Sequence, residues 1–169
     1  FNEAMQATPT VEISGSVLSP TPMSATASNA VWIYTLNVAS LSFTDGSYQL
    51  SVNGTDTAGN VYTGTDSITF SLDTTSPTVV LYDSDADNIL SSTDTVLVTA
   101  TFSEAMISAP TVEISGSVLS ATAMSSTASS AVWTYTIDVS TLSPTDGSYQ
   151  LTVAGRDIAG NVYTDTTSI

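Results

Sequence analysis

An all-β fold is predicted by three features of this sequence. Apolar and polar residues alternate over short stretches, Gly, Pro, Asp and Ser interrupt them every ~10 residues, and no segment sustains a helical period. The pattern also occurs twice. Residues 1–68 realign with residues 102–169 at a constant offset of 101, with 48 identities and 20 differences, most of them mild, such as Leu36 for Ile137 or Asn37 for Asp138. Self-similarity at the length of one small domain assigns the function to a string of units.

Taken in order through one period, residues 77–82 open the unit as a strand and residues 83–94 form an acidic loop. Residues 95–102 follow, with Val96, Val98, Ala100 and Phe102 on one face. Val112 and Ile114 mark the next strand and residues 118–124 a weaker one. Trp133, Tyr135, Ile137 and Val139 line one side of a long strand, and Tyr149, Leu151 and Val153 line another after the Asp146-Gly147 turn. The last strand is read in the first copy, where Ile68, Phe70 and Leu72 alternate with Thr69 and Ser71. About seven strands with turns at this spacing describe an immunoglobulin-like β-sandwich, repeated in tandem.

One motif sharpens that expectation. Gly147-Ser148-Tyr149-Gln150-Leu151 and its twin at 46–50 have the pattern of a tyrosine corner, in which the Tyr precedes a core position by two residues. The core position is Leu rather than Cys, and Trp133 stands on the strand before the corner, so the antibody arrangement itself is not expected. The paired aromatics Trp32 and Trp133, Tyr34 and Tyr135, and Tyr48 and Tyr149 are read as core, ahead of a sugar-binding platform. With the frame set at Pro77, residues 1–75 form a unit lacking its first strands and residues 76–169 a unit lacking its last. The chain then reads as a window from a longer array. A unit of ~100 residues is long enough to bury its own core.

Composition narrows the function. The chain has no Cys, His or Lys and a single Arg, Arg156, against 16 carboxylates, for a net charge of -15. Nucleic acid is excluded as a partner because phosphate neutralisation needs clustered cations. Disulfides and Lys isopeptide crosslinks are impossible, and the usual acid-base and nucleophilic side chains are missing, so no enzyme is expected. No apolar run approaches the ~18 residues of a membrane span. Abundant Ser and Thr with almost no cations suit an extracellular coat or fibre.

The acids are placed like metal ligands. Counted as a twelve-residue calcium loop, 83–94 puts Asp83, Asp85, Asp87 and Asp94 at positions 1, 3, 5 and 12, with the Ile89 carbonyl at 7 and Ser91 at 9. Asn88 replaces the usual Gly, which is tolerable because Asn enters the left-handed region readily. Asp94 replaces the bidentate Glu, so an affinity on the order of 10⁻⁴ to 10⁻³ M is expected. The flanks are strands, and no EF-hand switch follows. The competing reading is an Asp-rich turn whose carboxylates cap their own backbone amides.

A second cluster follows from the sandwich fold, which would gather Glu104, Asp157 and Asn161 near Asp73 and the 74–77 joint, with Glu3, Asp56 and Asn60 as their counterparts in the first copy. Such a group could hold an interdomain ion. Alternatively, Asp157 and Asn161 simply organise a tight Ala-Gly-Asn turn while Glu104 is a surface acid. Asn53-Gly54-Thr55 matches a glycosylation sequon, but the second copy reads Ala154-Gly155-Arg156.

Several phrases recur in fixed order: Asp73-Thr74-Thr75-Ser76-Pro77-Thr78-Val79, then Asp83-Ser84-Asp85-Ala86-Asp87-Asn88, then Thr101-Phe102-Ser103-Glu104-Ala105-Met106, then Asp157-Ile158-Ala159-Gly160-Asn161. Together they resemble the bacterial Ig-like tandem domains of large surface proteins and adhesins. That resemblance implies a cell-surface or secreted stalk of repeated sandwiches, often stiffened by Ca²⁺, whose partners are neighbouring copies of the repeat. Two alternatives stay open: a module that binds glycans or other cells, and a homopolymeric filament whose subunits complete one another by strand exchange.

Overall fold

Val11 and Ile13 alternate with Thr10 and Glu12, and only the two apolar side chains are fully buried, the signature of a strand covered on one face. This strand, β1 (Thr10–Ile13), belongs to a computed structural model that describes residues 1–163 of the chain. Two compact units are present, Phe1–Asp73 and Thr74–Ile169.

In unit 1, β1 is followed by β2 (Leu18–Pro22), β3 (Ser24–Ala25), β4 (Trp32–Ile33), β5 (Gly46–Asn53) and β6 (Ser67–Leu72). They form one antiparallel sheet of order β2-β1-β5-β6 and a separate two-stranded ribbon, β3-β4. Buried hydrophobic core side chains are few here: Met5, Val11 and Ile13.

Unit 2 comprises β7 (Val79–Asp83), β8 (Thr95–Phe102), β9 (Thr111–Ile114), β10 (Leu119–Ala123), β11 (Ser125–Ser126), β12 (Val132–Asp138), the short helix α1 (Val139–Leu142) and β13 (Leu151–Ala154). One sheet has the order β11-β12-β8-β7 and the other β10-β9-β13, with every pairing antiparallel. Val96, Val98, Ala100 and Phe102 of β8 and Trp133 and Ile137 of β12 meet Val112 of β9 and Leu151 and Val153 of β13 in a single core. Two antiparallel sheets closing on one apolar layer make an Ig-like sandwich.

The tyrosine corners are formed in both units. Tyr149 Oη donates to the Thr145 carbonyl at 2.6 Å, and Tyr48 Oη donates to the Thr44 carbonyl at 2.6 Å. Two local features differ from the sequence expectation. Val139 leaves the strand to begin α1, because Asp138 Oδ1 accepts from the Ser140 amide and caps the turn. Tyr149 precedes β13 instead of lying in it and is partly exposed, whereas Tyr48 lies within β5.

The units differ in how they treat their tryptophans. Trp133 is buried, while Trp32 is only half-buried. Both indole Nε1 groups donate at 3.0 Å to a nearby carbonyl, of Ser130 and Asn29 respectively, so polar satisfaction is equal and packing is not. Trp133→Ala is therefore expected to cost about 3–5 kcal/mol in unit 2, the range for truncating a buried aromatic, and Trp32→Ala distinctly less in unit 1. Calorimetric unfolding of the two variants checks this; equal losses would contradict the packing difference.

Candidate metal centres

The loop after β7 is shaped by its own aspartates. Asp83 Oδ1 accepts from the Asp85 amide at 2.9 Å, Asp87 Oδ1 from the Ile89 amide at 3.1 Å, and Asp94 Oδ2 from the Ser91 amide at 2.6 Å. Asn88 sits at φ 57°, in the left-handed region that a Gly would otherwise occupy. Ser84 ties the loop to β8, its Oγ accepting from the Leu97 amide at 2.9 Å. These are the side-chain-to-backbone bonds of an Asx-rich turn. No three of the four loop aspartates bring carboxylate oxygens within 4.8 Å of one another, and the Ile89 side chain is exposed.

One atom in this loop is not accounted for. Asp85 Oδ2 is buried and has no hydrogen-bond partner. Asp83, Asp85, Asn88 and Ser91 border a cavity of about 680 Å³ whose other walls include Val118, Val139, Pro144 and Tyr149. A buried carboxylate oxygen without a donor is costly, and a hard cation is the chemical complement of such a site. Sequence reasoning did not anticipate that Pro144 and Tyr149 share this cavity; the N-cap at Asp138, which turns the chain into α1, was the signal that could have placed them.

At Glu104 and Asp157, within unit 2, the structure brings two carboxylates together, with an oxygen of each within 4.8 Å of the other. Asp157 is 0% exposed. It is held by a turn in which Oδ1 accepts from the Gly160 amide at 2.6 Å and the Asn161 amide at 2.8 Å, while Oδ2 accepts from Asn161 Nδ2 at 2.8 Å. The turn requires glycine at Gly160, where φ is 98°. Isolated bridges from Met106 to Asp157 and from Arg156 to Val162 fasten it, and Arg156 Nη1 donates to the Gly160 carbonyl at 3.3 Å. Three of a carboxylate's roughly four acceptor positions are thus engaged by the turn itself. Asp73 is the last residue of unit 1, directly before the 74–77 segment.

Residues 2–74 match the family profile of the bacterial Ig-like domain. That segment is similar to the bacterial Ig-like domain. No curated protein and no solved structure matches it.

Unit 1 builds the same turn around Asp56. Oδ1 accepts from the Ala58 and Asn60 amides, each at 2.8 Å, and Oδ2 from Asn60 Nδ2 at 2.7 Å. Asp56 is 5% exposed and Gly59 again adopts a positive φ, 91°. Glu3, by contrast, is exposed. Asn53 ends β5 in an exposed position and donates through Nδ2 to Glu12 Oε1 at 3.3 Å.

Both turn aspartates have a lowered pKa. For Asp56 the Asn60 side chain is the main cause, with the Asn60, Ala58 and Gly59 amides adding to it against the effect of burial. For Asp157 burial is the largest influence and opposes ionisation, but the Asn161 side chain together with the Asn161, Gly160 and Ala159 amides outweighs it. A depressed folded-state value makes the ionised form stabilising. That stability is fully present above the unfolded carboxylate value of ~3.9 and is lost as pH falls through the lowered folded value.

Asp157→Asn is accordingly expected to lower Tm at neutral pH, because it removes the negative charge that strengthens the Gly160 and Asn161 amide bonds and sets an NH₂ against the Asn161 Nδ2 donor. The gap from the parent should close in strong acid, where the parent Asp157 is also protonated. Thermal melts from neutral pH into acid test this, and a gap that stays constant throughout would show that ionisation of Asp157 contributes nothing.

Proposed function

We propose that this chain is a structural repeat of an extracellular bacterial surface fibre or adhesin stalk, stiffened by Ca²⁺ at its acidic loops and joints. The reading starts from the likeness of residues 2–74 to the bacterial Ig-like domain and from a sequence that copies itself at an offset of 101 residues. Near-identical units in series favour a scaffold, since a specialised binding end would differ from its neighbour. The acid-rich composition supplies no Lys, His or Cys for catalysis.

The observation that carries the calcium reading is the unpartnered, buried Asp85 Oδ2 in a loop with aspartates at 83, 85 and 87. In this proposal Asp83, Asp85, Asp87, Asn88, the Ile89 carbonyl and Asp94 supply oxygen ligands, with waters completing the shell. Bound Ca²⁺ contributes positive charge, which offsets repulsion among carboxylates that have no Lys and one Arg in the whole chain to relieve it. A second ion at Glu104 and Asp157, joined by Asp73 and Asn161, would fix the joint; Glu3, Asp56 and Asn60 form the equivalent set of the first copy. Stiffer joints hold the distal end of an array farther from the cell.

Calcium titration followed by calorimetry tests the loop. At a Ca²⁺ concentration ten times Kd, binding adds about 1.4 kcal/mol, which raises Tm by several degrees for a unit of this size. Asp85→Asn should remove most of that increment while leaving the calcium-free Tm close to the parent value. Identical melts in chelator and in millimolar Ca²⁺, with no heat of binding, would eliminate calcium from the mechanism.

A further inference from the structure

Two short bridges lay three backbone segments side by side at one end of unit 2. Met106 stands opposite Asp157 and Arg156 opposite Val162, both antiparallel, and the Ile107 amide donates to the Arg156 carbonyl at 3.0 Å. Side chains directly opposite in such pairs share a face, and successive ones alternate. Met106 and Asp157 therefore turn inward, where both are buried, and Ile107, Arg156 and Val162 form a row on the outer face. Ile107 is 60% exposed and Ile158, which follows Asp157, is 67% exposed.

Unit 1 keeps this backbone and carries a different surface on it. Its bridges join Met5 to Asp56 and Thr55 to Val61, and the Gln6 amide donates to the Thr55 carbonyl at 2.8 Å. The row there is Gln6, Thr55 and Val61, and Thr57 stands in the place of Ile158. Three of the 20 positions at which the copies differ thus meet on one small surface, and each exchanges a polar residue of unit 1 for Ile or Arg in unit 2. The turn itself does not require the apolar residues, since unit 1 forms it without them. Val61 is 64% exposed and Val162 only 37%, as expected where the longer Arg156 stem lies across from it.

Arg156 is the sole basic side chain against 16 acids, yet among the described residues it pairs with none of them. Its Nη1 donates to the Gly160 carbonyl at 3.3 Å, a small use of a five-donor fork. An exposed guanidinium set between aliphatic side chains complements a carboxylate that itself stands beside apolar residues. Unit 2 presents such a segment at its other end. In the 83–94 loop Asp87 is exposed and spends Oδ1 on the Ile89 amide, and Ile89 and Leu90 are 77% and 43% exposed. The loop precedes β8 and the Ile107 row follows it, so about 25 Å of extended chain separates the two surfaces and one unit cannot join its own.

We infer that the face formed by Ile107, Arg156, Val162 and Ile158 is a docking surface for the 87–90 segment of a second copy of this chain. Arg156 receives the Asp87 carboxylate, and Ile107 and Ile158 cover Ile89 and Leu90. The two surfaces are different, so the contact is heterologous and copies add in an open series rather than closing as a symmetric pair. The patch is small, which makes each contact weak, and an array of units multiplies it by avidity. The inference does not rest on calcium and draws on Asp87 as the ion-free loop presents it.

Sedimentation equilibrium of the full chain in chelator is the test, so that its failure leaves the metal reading untouched. As the concentration approaches ~1 mM, where a contact with Kd on the order of 10⁻⁴ M is well populated, the weight-average mass should climb past that of a dimer. Two variants each remove one surface. Ile107→Gln, Arg156→Thr and Ile158→Thr together give unit 2 the residues that unit 1 carries at these positions, so the fold is retained; Asp87→Asn with Ile89→Ser disables the loop. Each variant alone should stay monomeric, and their equimolar mixture should form a dimer and nothing larger, because one working surface of each kind remains. A parent chain that stays monomeric at that concentration would overturn the inference, as would growth of the parent that stops at a dimer, undiminished association of either variant, or a mixture that grows beyond a dimer.

Discussion

Everything in unit 2 depends on the ladder between β8 and β12. Seven residues of β12 lie opposite seven of β8, and that pairing positions four buried apolar side chains of β8 against the facing sheet. Unit 1 offers a comparison within the same chain. In unit 1 the facing sheet still forms, because β1, β2, β5 and β6 pair with one another. The segment equivalent to β12 does not hold its extended form beyond two residues. Its sequence is a good strand former in both places, so strand formation here is a tertiary outcome and not a local one.

Charge imposes a second constraint. With 16 acids and one arginine, the molecule cannot settle its carboxylates by ion pairing. It uses backbone amides instead. Asp56 and Asp157 each collect two amide donors on one oxygen and an Asn side chain on the other, which allows a carboxylate to be buried and still ionised. The loop aspartates Asp83, Asp87 and Asp94 take one amide each. Asp85 Oδ2 falls outside this scheme and is the point at which the backbone supply of donors runs out.

The strands were legible because period-two alternation is a direct projection of a half-buried sheet. β8 was anticipated at its observed limits, and both tyrosine corners were anticipated from five residues of sequence. The Asp157 turn was legible as one of two readings, and its amide bonds are those of the tight Ala-Gly-Asn turn. Its proximity to Glu104 depends on the bridge between Met106 and Asp157, a long-range contact that sequence spacing does not encode. The loop at 83–94 shows the limit more sharply. An Asp-x-Asp-x-Asp spacing is equally suited to circling a cation and to forming successive Asx turns, and only coordinates distinguish which amides the carboxylates engage. The shortness of β4 was hidden for the opposite reason, since the sequence around it matches that of a fully paired strand.

Arg156 is held in the Asp157 turn, donating to the Gly160 carbonyl and bridged to Val162. Because the chain has no lysine and no other arginine, enzymes of trypsin-like specificity find one scissile bond in it, Arg156 to Asp157. That bond precedes a side chain with no solvent exposure and lies in backbone already committed to bridges on both sides. To be cut it must first be unfolded, so digestion at that bond is governed by the opening of the turn, and the rate of cleavage there is a clock for how often unit 2 frays.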